Sequence, residues 1–401
     1  MNYVARTVAL STMLNQLNSK LKKHIPVLVS LWRNTTDGSH LSQKELVAVS
    51  QSLLALQRGL TGERKLAGAG YMDSTNYLGA YLLYYWPVSF MQVSVEALAI
   101  DPFVKKTSLH ILDIGSGPAP ASAALCDSFC VQDVTLVDSS KKALALAERL
   151  FASEWSSTEV HSIVHDFESN DFPMLDGVYD IIVLSHSLNE LWKNAGNALE
   201  RRTAFLKKLA SFLGSGGILL VSEPALLLTS RNLICVRDNL VQDGFSVISP
   251  CLTSHVCPIS ESGSQQTCHA EIPWQPVEPV ASIARLAKLD RQSVKMTYMA
   301  FCKDDVFPKN GRGQALCKSG YTVVSDGMLN KSGRIRYLLC DGDRRIACSA
   351  KKGDAHAQNI GFFSLSRYDY VELEKPELRG DSSSQAFGIG PDTSLSVQKL
   401  I

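Results

Sequence analysis

The sequence predicts an α/β protein: a doubly wound, Rossmann-like sheet with an N-terminal helical region before it and a C-terminal β-rich, cysteine-ligated domain after it. Three observations predict it. Between about residues 106 and 245 the short apolar runs LHILDI, DVTLVD, YDIIVLS and GGILLVSE alternate with helical stretches, and βα alternation implies a parallel sheet with helices on both faces. Before that span, stretches such as QKELVAVSQSLLALQRGL carry apolar residues at three- and four-residue spacing, the period of amphipathic helices. Beyond it come strand-like runs, TYMAFCK, GRIRYLLC and RRIACSAKK, separated by Gly and Asp turns. The expected division is 1–105 helical, 106–245 Rossmann-like, 246–378 β-rich and cysteine-bearing, and 379–401 a mobile Ser- and Gly-rich tail.

Each part has its own reasons. The first acidic residue is Asp37, and a lack of acids is one property of organelle transit peptides. Yet Arg6 is the single arginine of the first thirty residues, and the apolar spacing suits an ordinary amphipathic helix. The bacterial cytoplasm is therefore the expected location, with the mitochondrial matrix as the alternative. The aromatic run Tyr81, Tyr84, Tyr85 and Trp86 is read as core rather than as a stacking surface for bases. No window approaches eighteen consecutive apolar residues, so no membrane association is expected.

Composition narrows the function classes. With 401 residues, 45% hydrophobic and 20% charged, the chain has the balance of a globular protein and not of a disordered or fibrous one. Forty Lys and Arg against 39 Asp and Glu leave a net charge of +1, so no global field draws the protein onto nucleic acid. The basic surface is local: residues 281–352 hold fifteen Lys and Arg against six Asp. That excess, with Arg334, Arg336, Arg344 and Arg345 within it, supports RNA contact through phosphates, reading shape more than sequence. The 10 Cys are too sparse for a disulfide scaffold and fit a reducing compartment. A monomer is expected.

The run LHILDIGSGPAPASAAL joins a strand to a small-residue helix through Gly115 and Gly117. Glycines permit the tight turn and let a ligand approach the backbone, and the helix start supplies amides and a positive dipole end. Asp138 ends the next strand, 25 residues after Asp113, where a carboxylate can accept ribose hydroxyls. This spacing resembles class I S-adenosylmethionine methyltransferases more than dinucleotide dehydrogenases. The resemblance implies that Asp113, Gly115, Gly117 and Asp138 line the cofactor and that Asp166, in VHDFES, lies near the adenine. Ala119 stands where that motif has its third glycine, between Pro118 and Pro120. A Rossmann-like scaffold without catalysis is the competing reading, so whether the protein is an enzyme stays open. After the fourth strand, LSHSLNELW offers His186, Asn189 and Glu190 on the substrate side, with His186 and Glu190 on one face if the segment is helical. Arg231 and Arg237 follow on a helix, as solvated side chains.

Cys251, Cys257 and Cys268 are spaced C-x5-C-x10-C in a polar loop with little apolar face to bury them. Metal ligation is the better account. The spacing is loose for structural zinc, whereas iron–sulfur clusters accept irregular spacings and need four thiolates. Cys340, at the end of GRIRYLLC, is the chosen fourth ligand, with Cys302, Cys317 and Cys348 as rivals. His269 could instead complete a Cys3His zinc site, and unmetallated thiols are the third possibility.

Together IGSGPAPASAAL, SHSLNEL, SEP with Arg231 and Arg237 downstream, PC-x5-CP, TCHAEIPW and YLLC resemble a known family. It comprises the methyltransferase-like mitochondrial small-ribosomal-subunit assembly factors and their bacterial relatives, and the resemblance spans about Arg58 to Tyr370. It implies an S-adenosylmethionine-type domain, a 4Fe–4S cluster on Cys251, Cys257, Cys268 and Cys340, and association with small-subunit ribosomal RNA and proteins. Ala225 and Thr267 depart from the family pattern beside Ala119.

Overall fold

The computed structural model describes residues 3–57, 75–169, 172–175, 177–251, 255–261, 266–303, 320–380 and 385–398. Cys317 and the Arg58–Gly59 start of the resemblance lie outside the described residues. The chain begins with helices α1 (Tyr3–Arg33) and α2 (Gln43–Gln57), then α3 (Thr75–Ala80), a π-helical turn over Tyr81–Tyr85, and α4 (Trp86–Ile100). The start of α2 is encoded by Ser42 and Glu45. The Glu45 carboxylate accepts from Ser42 N–H (2.8 Å) and the Ser42 hydroxyl caps Glu45 N–H (3.3 Å), which is a capping box.

The alternating region builds β1 (Leu109–Ile114), α5 (Pro120–Cys126), β2 (Val131–Asp138), α6 (Lys141–Glu154), β3 (Glu159–Val164), β4 (Tyr179–Ser185), α7 (Ala198–Ala210), β5 (Leu213–Pro224) and α8 (Leu227–Gln242). It does not stop there. Strands β6 (Ser246–Ser249), β7 (Ala270–Pro273) and β8 (Ser293–Cys302) join the same sheet, with the short helices α9 (Pro258–Glu261) and α10 (Val280–Leu286) between them. Among the described residues its order is β3-β2-β1-β4-β5-β8-β6, with β7 on β8. The first five strands run parallel, and β8 is antiparallel to both β5 and β6. A dinucleotide-binding sheet continues past its fifth strand in parallel; the reversed β8 wedged against β5 gives the methyltransferase form of the Rossmann-like fold.

The boundary expected at 245 thus falls inside this sheet. By sequence TYMAFCK reads as part of the appended domain, because an antiparallel strand reached through loops carries no βα signature and its side chains alone do not say which sheet takes it. Strands buried on both faces read as continuous apolar runs, and the alternation divides two cores. Ile111, Val134, Ile181, Val183 and Leu220 face the N-terminal helices, while Leu112, Val137, Ile182, Leu184 and Val221 face α7 and α8. Tyr84 and Trp86 are buried in the first core, as expected.

The second sheet starts only at β9 (Gly320–Val323). It continues with β10 (Met328–Leu329), β11 (Arg334–Cys340), β12 (Arg345–Lys351), β13 (Tyr370–Glu374), β14 (Glu377–Arg379), β15 (Ala386–Gly388) and β16 (Ser394–Gln398), in the order β14-β15-β12-β11-β9-β13-β16 with β10 on β11. The tail expected to be mobile contributes β15, parallel to β12, and β16, antiparallel to β13. Its Ser and Gly content hid the apolar positions Phe387 and Ile389, which are buried in the sheet's own core.

Candidate functional site

The described residues assemble two candidate sites. At the first, β1, β2 and β3 end side by side. Gly115 N–H and Ser116 N–H donate to Val137 O (2.8 and 3.2 Å), and His165 N–H donates to Asp138 O (3.0 Å). Gly115 (φ +66°), Gly117, Asp138 and Asp166 therefore share one rim, where a doubly wound sheet binds ligands. Asp138 receives Gly117 N–H (2.8 Å) and Ser140 N–H (2.8 Å), and its burial raises its pKa. Asp113 lies deeper. Burial pushes its carboxyl up to about 7 against the opposing bonds from the Ser122 hydroxyl (2.6 Å) and amide (3.3 Å), so it anchors the first turn of α5. Asp166 is exposed just beyond β3.

Two local features constrain this loop. A Cβ on Gly115 would sit 2.5 Å from Ser187 Cβ, so the segment after β4 closes directly onto the first glycine. Ala119 occupies the left-handed region at φ +57° with no accessible surface. Where a glycine would be unstrained, the alanine costs about 1 kcal/mol. Trp86 Nε1–H donates to Pro118 O (3.0 Å), so the N-terminal helices brace the loop from behind.

The segment after β4 is a run of turns rather than a helix, and its three candidates separate. His186 (φ +60°) is turned inward. Its Nε2–H donates to Gln92 Oε1 (2.7 Å), and burial lowers its pKa to about 4, which keeps it neutral. Glu190 is exposed and pairs with Lys193 (3.4 Å). The two do not form an acid/base pair. Asn189 is gripped by Glu223 at the end of β5: its main-chain N–H donates to Oε1 (2.9 Å) and its side-chain amide to Oε2. Burial pushes Glu223 up to about 8, against the Asn189 bonds and the charge of Arg202, whose Nη2 donates to Asn189 O (2.7 Å). Glu223 and Arg202 escaped sequence reasoning; only the position of Glu223 at a strand end could have marked it.

The second site lies between the sheets. Cys251 follows β6, Cys257 precedes α9, Cys268 precedes β7 and Cys340 ends β11, and all four thiols line one cavity with Arg237, Tyr368 and Arg345. The rivals are placed elsewhere. Cys348 faces the second core on the opposite side of its sheet from Cys340, and Cys302 is buried in the first. His269 meets Thr267 Oγ1 (2.8 Å) and Glu271 (3.9 Å), away from the cavity lining, which removes the imidazole from a Cys3His site as placed. Burial raises Cys340 and pushes Cys257 up to about 12, and neighbouring thiols add to both. Among the described residues, no three His, Cys, Asp or Glu are arranged to hold a metal ion.

Helix α8 organises the cysteine loop. Asp238 Oδ1 accepts Cys257 N–H (3.0 Å) and Arg237 Nη1–H (2.7 Å), while Arg231 Nη1 donates to Ile259 O (3.1 Å). Arg237, expected in solvent, is 0% exposed, with Nη2 3.8 Å from Cys251 Sγ. Its helical position was legible, but the loop that folds over it was not. The basic cluster is also partly spent. Arg345 bridges to Gln266 Oε1 (3.0 Å), Arg344 to Gln385 Oε1 (3.1 Å), and Arg334 to Ser349 O (3.1 Å), leaving Arg336 as the exposed member on β11.

A model of the family described as mitochondrial small ribosomal subunit Rsm22 matches residues 78–325. This chain belongs to that family. The match takes in the glycine loop, the SHSLNEL turn and Cys251, Cys257 and Cys268; of the residues named at the two sites it leaves out Cys340, Arg345 and Tyr368. Comparison with curated proteins finds no match. Among solved structures, similarity extends to a putative RNA methyltransferase from Pyrococcus horikoshii (13% identity, 54% of this chain and 85% of that one, TM-score 0.32). It extends also to a ribosomal protein L11 methylase from Lactobacillus delbrueckii subsp. bulgaricus (14%, 54% and 79%, 0.32) and to magnesium protoporphyrin IX methyltransferase from Synechocystis PCC 6803 with bound SAM (13%, 64% and 97%, 0.33). The strand order, not these similarities, carries the fold assignment. No helix among the described residues is long and apolar enough to cross a membrane.

Proposed function

We propose that this Rsm22-family chain is a methyltransferase-type factor of the mitochondrial small ribosomal subunit that binds S-adenosylmethionine at its glycine loop and a 4Fe–4S cluster at its cysteine cavity. Family membership supports the ribosomal and mitochondrial parts of this reading, and with them the matrix rather than a bacterial cytoplasm. The observation that carries the cluster is the convergence of Cys251, Cys257, Cys268 and Cys340 on one cavity. Four thiols are the donor set a cluster requires. The C-x5-C spacing is loose for structural zinc, which prefers two to four residues between paired cysteines. When bound, the cluster would join the two sheets, since Cys340 stands on the second and the other three ligands on the first.

For the cofactor, Gly115 and Gly117 open the rim, Asp138 offers its carboxylate toward ribose hydroxyls, and Asp166 stands on the adenine side. S-Adenosylmethionine supplies the electrophilic methyl group. The chain's own part is to hold an acceptor in line and exclude water, which needs no strong base. Neutral His186 and the clamped Asn189 fit such a part, and they fit equally a factor that binds the cofactor without turnover. Ribosomal RNA contact is assigned to the exposed basic residues around Arg336 and Lys351.

The test has two arms. Anaerobically purified protein is expected to carry iron and acid-labile sulfide in equal amounts, about four of each, lost when Cys251 and Cys257 are replaced by Ser; zinc or no metal would reject the cluster. Calorimetry with S-adenosylmethionine is expected to show saturable binding that Asp138→Ala removes, and heat indistinguishable from dilution would reject the cofactor.

A further inference from the structure

Tyr368 is an unusual residue to find beside a cysteine. It belongs to the second-sheet side of the cavity, where its N–H donates to Val323 O (2.7 Å), yet its hydroxyl reaches Cys268 Sγ of the first sheet at 3.4 Å. Its backbone is left-handed at φ +65° and the residue is 2% exposed. A large non-glycine side chain held at positive φ costs about 1–2 kcal/mol, and such strain persists only where the surroundings impose it. Here the ring packs edge-on against Tyr298 (6.2 Å between centroids), which aims the hydroxyl at the sulfur. On the far side of the cavity Arg237 presents Nη2 to Cys251 Sγ at 3.8 Å from full burial. Toward a neutral thiol the Tyr368 bond would be weak for a phenol so deeply buried, and Arg237, whose Nη1 is paired with Asp238 (2.7 Å), turns its other nitrogen to Cys251. Toward sulfurs that carry negative charge the same bonds become charge-assisted.

We propose that Tyr368 and Arg237 are positioning residues for the metal site: their hydrogen bonds stabilise negative charge on the sulfurs of Cys268 and Cys251 and so set the reduction potential of the cluster those cysteines hold. The inference rests on the cluster reading above and adds to it a specific electrostatic role. A donor to a ligand sulfur favours the reduced, more negative state, so each bond raises the potential. Arg237 donates from α8 to a ligand of its own side, whereas Tyr368 donates from the second-sheet side to a ligand of the first, so the Tyr368 bond ties the potential to the closeness of the two sheets.

The deciding comparison is the midpoint potential, by redox titration followed in the visible spectrum, of wild type, Tyr368→Phe and Tyr298→Phe. Phe at 368 keeps the ring and deletes only the donor; Phe at 298 deletes a hydroxyl whose hydrogen-bond partner is Ser249 Oγ (3.0 Å) rather than a sulfur. The expected result is wild-type iron and sulfide in both variants, a lower potential for Tyr368→Phe and an unchanged one for Tyr298→Phe. A potential unchanged in Tyr368→Phe, or lowered equally in Tyr298→Phe, overturns the proposal while leaving the cluster reading intact. Iron lost from a Tyr368→Phe variant that melts like wild type also overturns it, since the hydroxyl would then retain the cluster rather than set its potential. Wild-type protein without iron overturns both.

Discussion

At the glycine loop the polar groups are bonded to one another: Gly117 N–H to Asp138, the Ser122 hydroxyl to Asp113, the Ser187 hydroxyl to Ile114 O (2.8 Å). At the cysteine cavity four thiols face a buried guanidinium and a buried phenol, and burial raises the pKa of Cys257 and Cys340, with neighbouring thiols and, for Cys257, the buried Asp238 carboxylate adding to it. In the first region most polar groups are bonded within the chain, with the buried His165 Nε2 and Ser185 Oγ left without a partner among the described residues. The second concentrates soft donors that gain little from each other. A site that has satisfied itself tolerates the loss of its ligand, whereas a cavity of thiols has its full energy only when something electropositive enters it.

The largest expected effect breaks the second region. Cys340→Ser removes the one thiol the second sheet supplies, and iron and sulfide per chain should fall at least several-fold. Cys348→Ala, eight residues on and on the opposite face, should leave both at wild-type levels and cost about 1 kcal/mol of stability. Equal losses in the two variants would refute the assignment of the fourth ligand. Next comes Arg237→Met. It leaves Asp238 without its cationic partner in a buried setting, a loss worth about 3 kcal/mol, which urea denaturation of the protein as purified would register; a change below about 1 kcal/mol would mean that the guanidinium is not needed there.

How these regions are written in the sequence differs in the same way. The glycine loop is contiguous, so its turn, its strand and the aspartates at successive strand ends were legible from spacing. Three cysteines were legible as a local cluster, but choosing Cys340 over Cys348 needed the face of a strand. Within GRIRYLLC the alternation assigns Tyr337 and Leu339 to one side and Cys340 to the other, yet which side meets the first sheet is settled only by tertiary packing. Tyr368 and the turn that directs His186 toward Gln92 have no local mark, and Glu223 has only its place at a strand end. The first sheet runs past residue 245 for the same reason, since antiparallel β8 obeys no rule of sequence adjacency.

A smaller effect tests how far the self-satisfied region extends. His24 of α1 donates through Nδ1 to Glu154 (2.7 Å) and through Nε2 to Asp127 (2.9 Å), just beyond α5. Burial alone would lower its pKa, but the bonds and charges of Asp127 and Glu154 outweigh it and the net shift is upward. A raised folded pKa means stability fully present below the unfolded value of about 6.5 and lost as pH climbs through the folded one. His24→Gln should therefore cost about 2 kcal/mol at pH 6 and less at pH 9. A cost independent of pH would show that packing, not charge, fastens α1 to the loop's helix.

The smallest effect sharpens the comparison most, because it acts on the loop without touching any bond in it. Ala119→Gly relieves the left-handed alanine but frees the unfolded chain, so the two terms nearly offset and stability should rise by about 0.5 kcal/mol. Gly115→Ala does the reverse, driving a Cβ against Ser187 at a cost of about 2 kcal/mol. If the loop is a working cofactor turn, the glycine at 119 should also tighten S-adenosylmethionine binding several-fold by calorimetry, since a strained alanine there stiffens the turn that must yield to the ligand. If affinity stays unchanged while stability rises, the strain at Ala119 belongs to the packing of Trp86 against Pro118, and the loop owes its shape to the N-terminal helices rather than to a ligand.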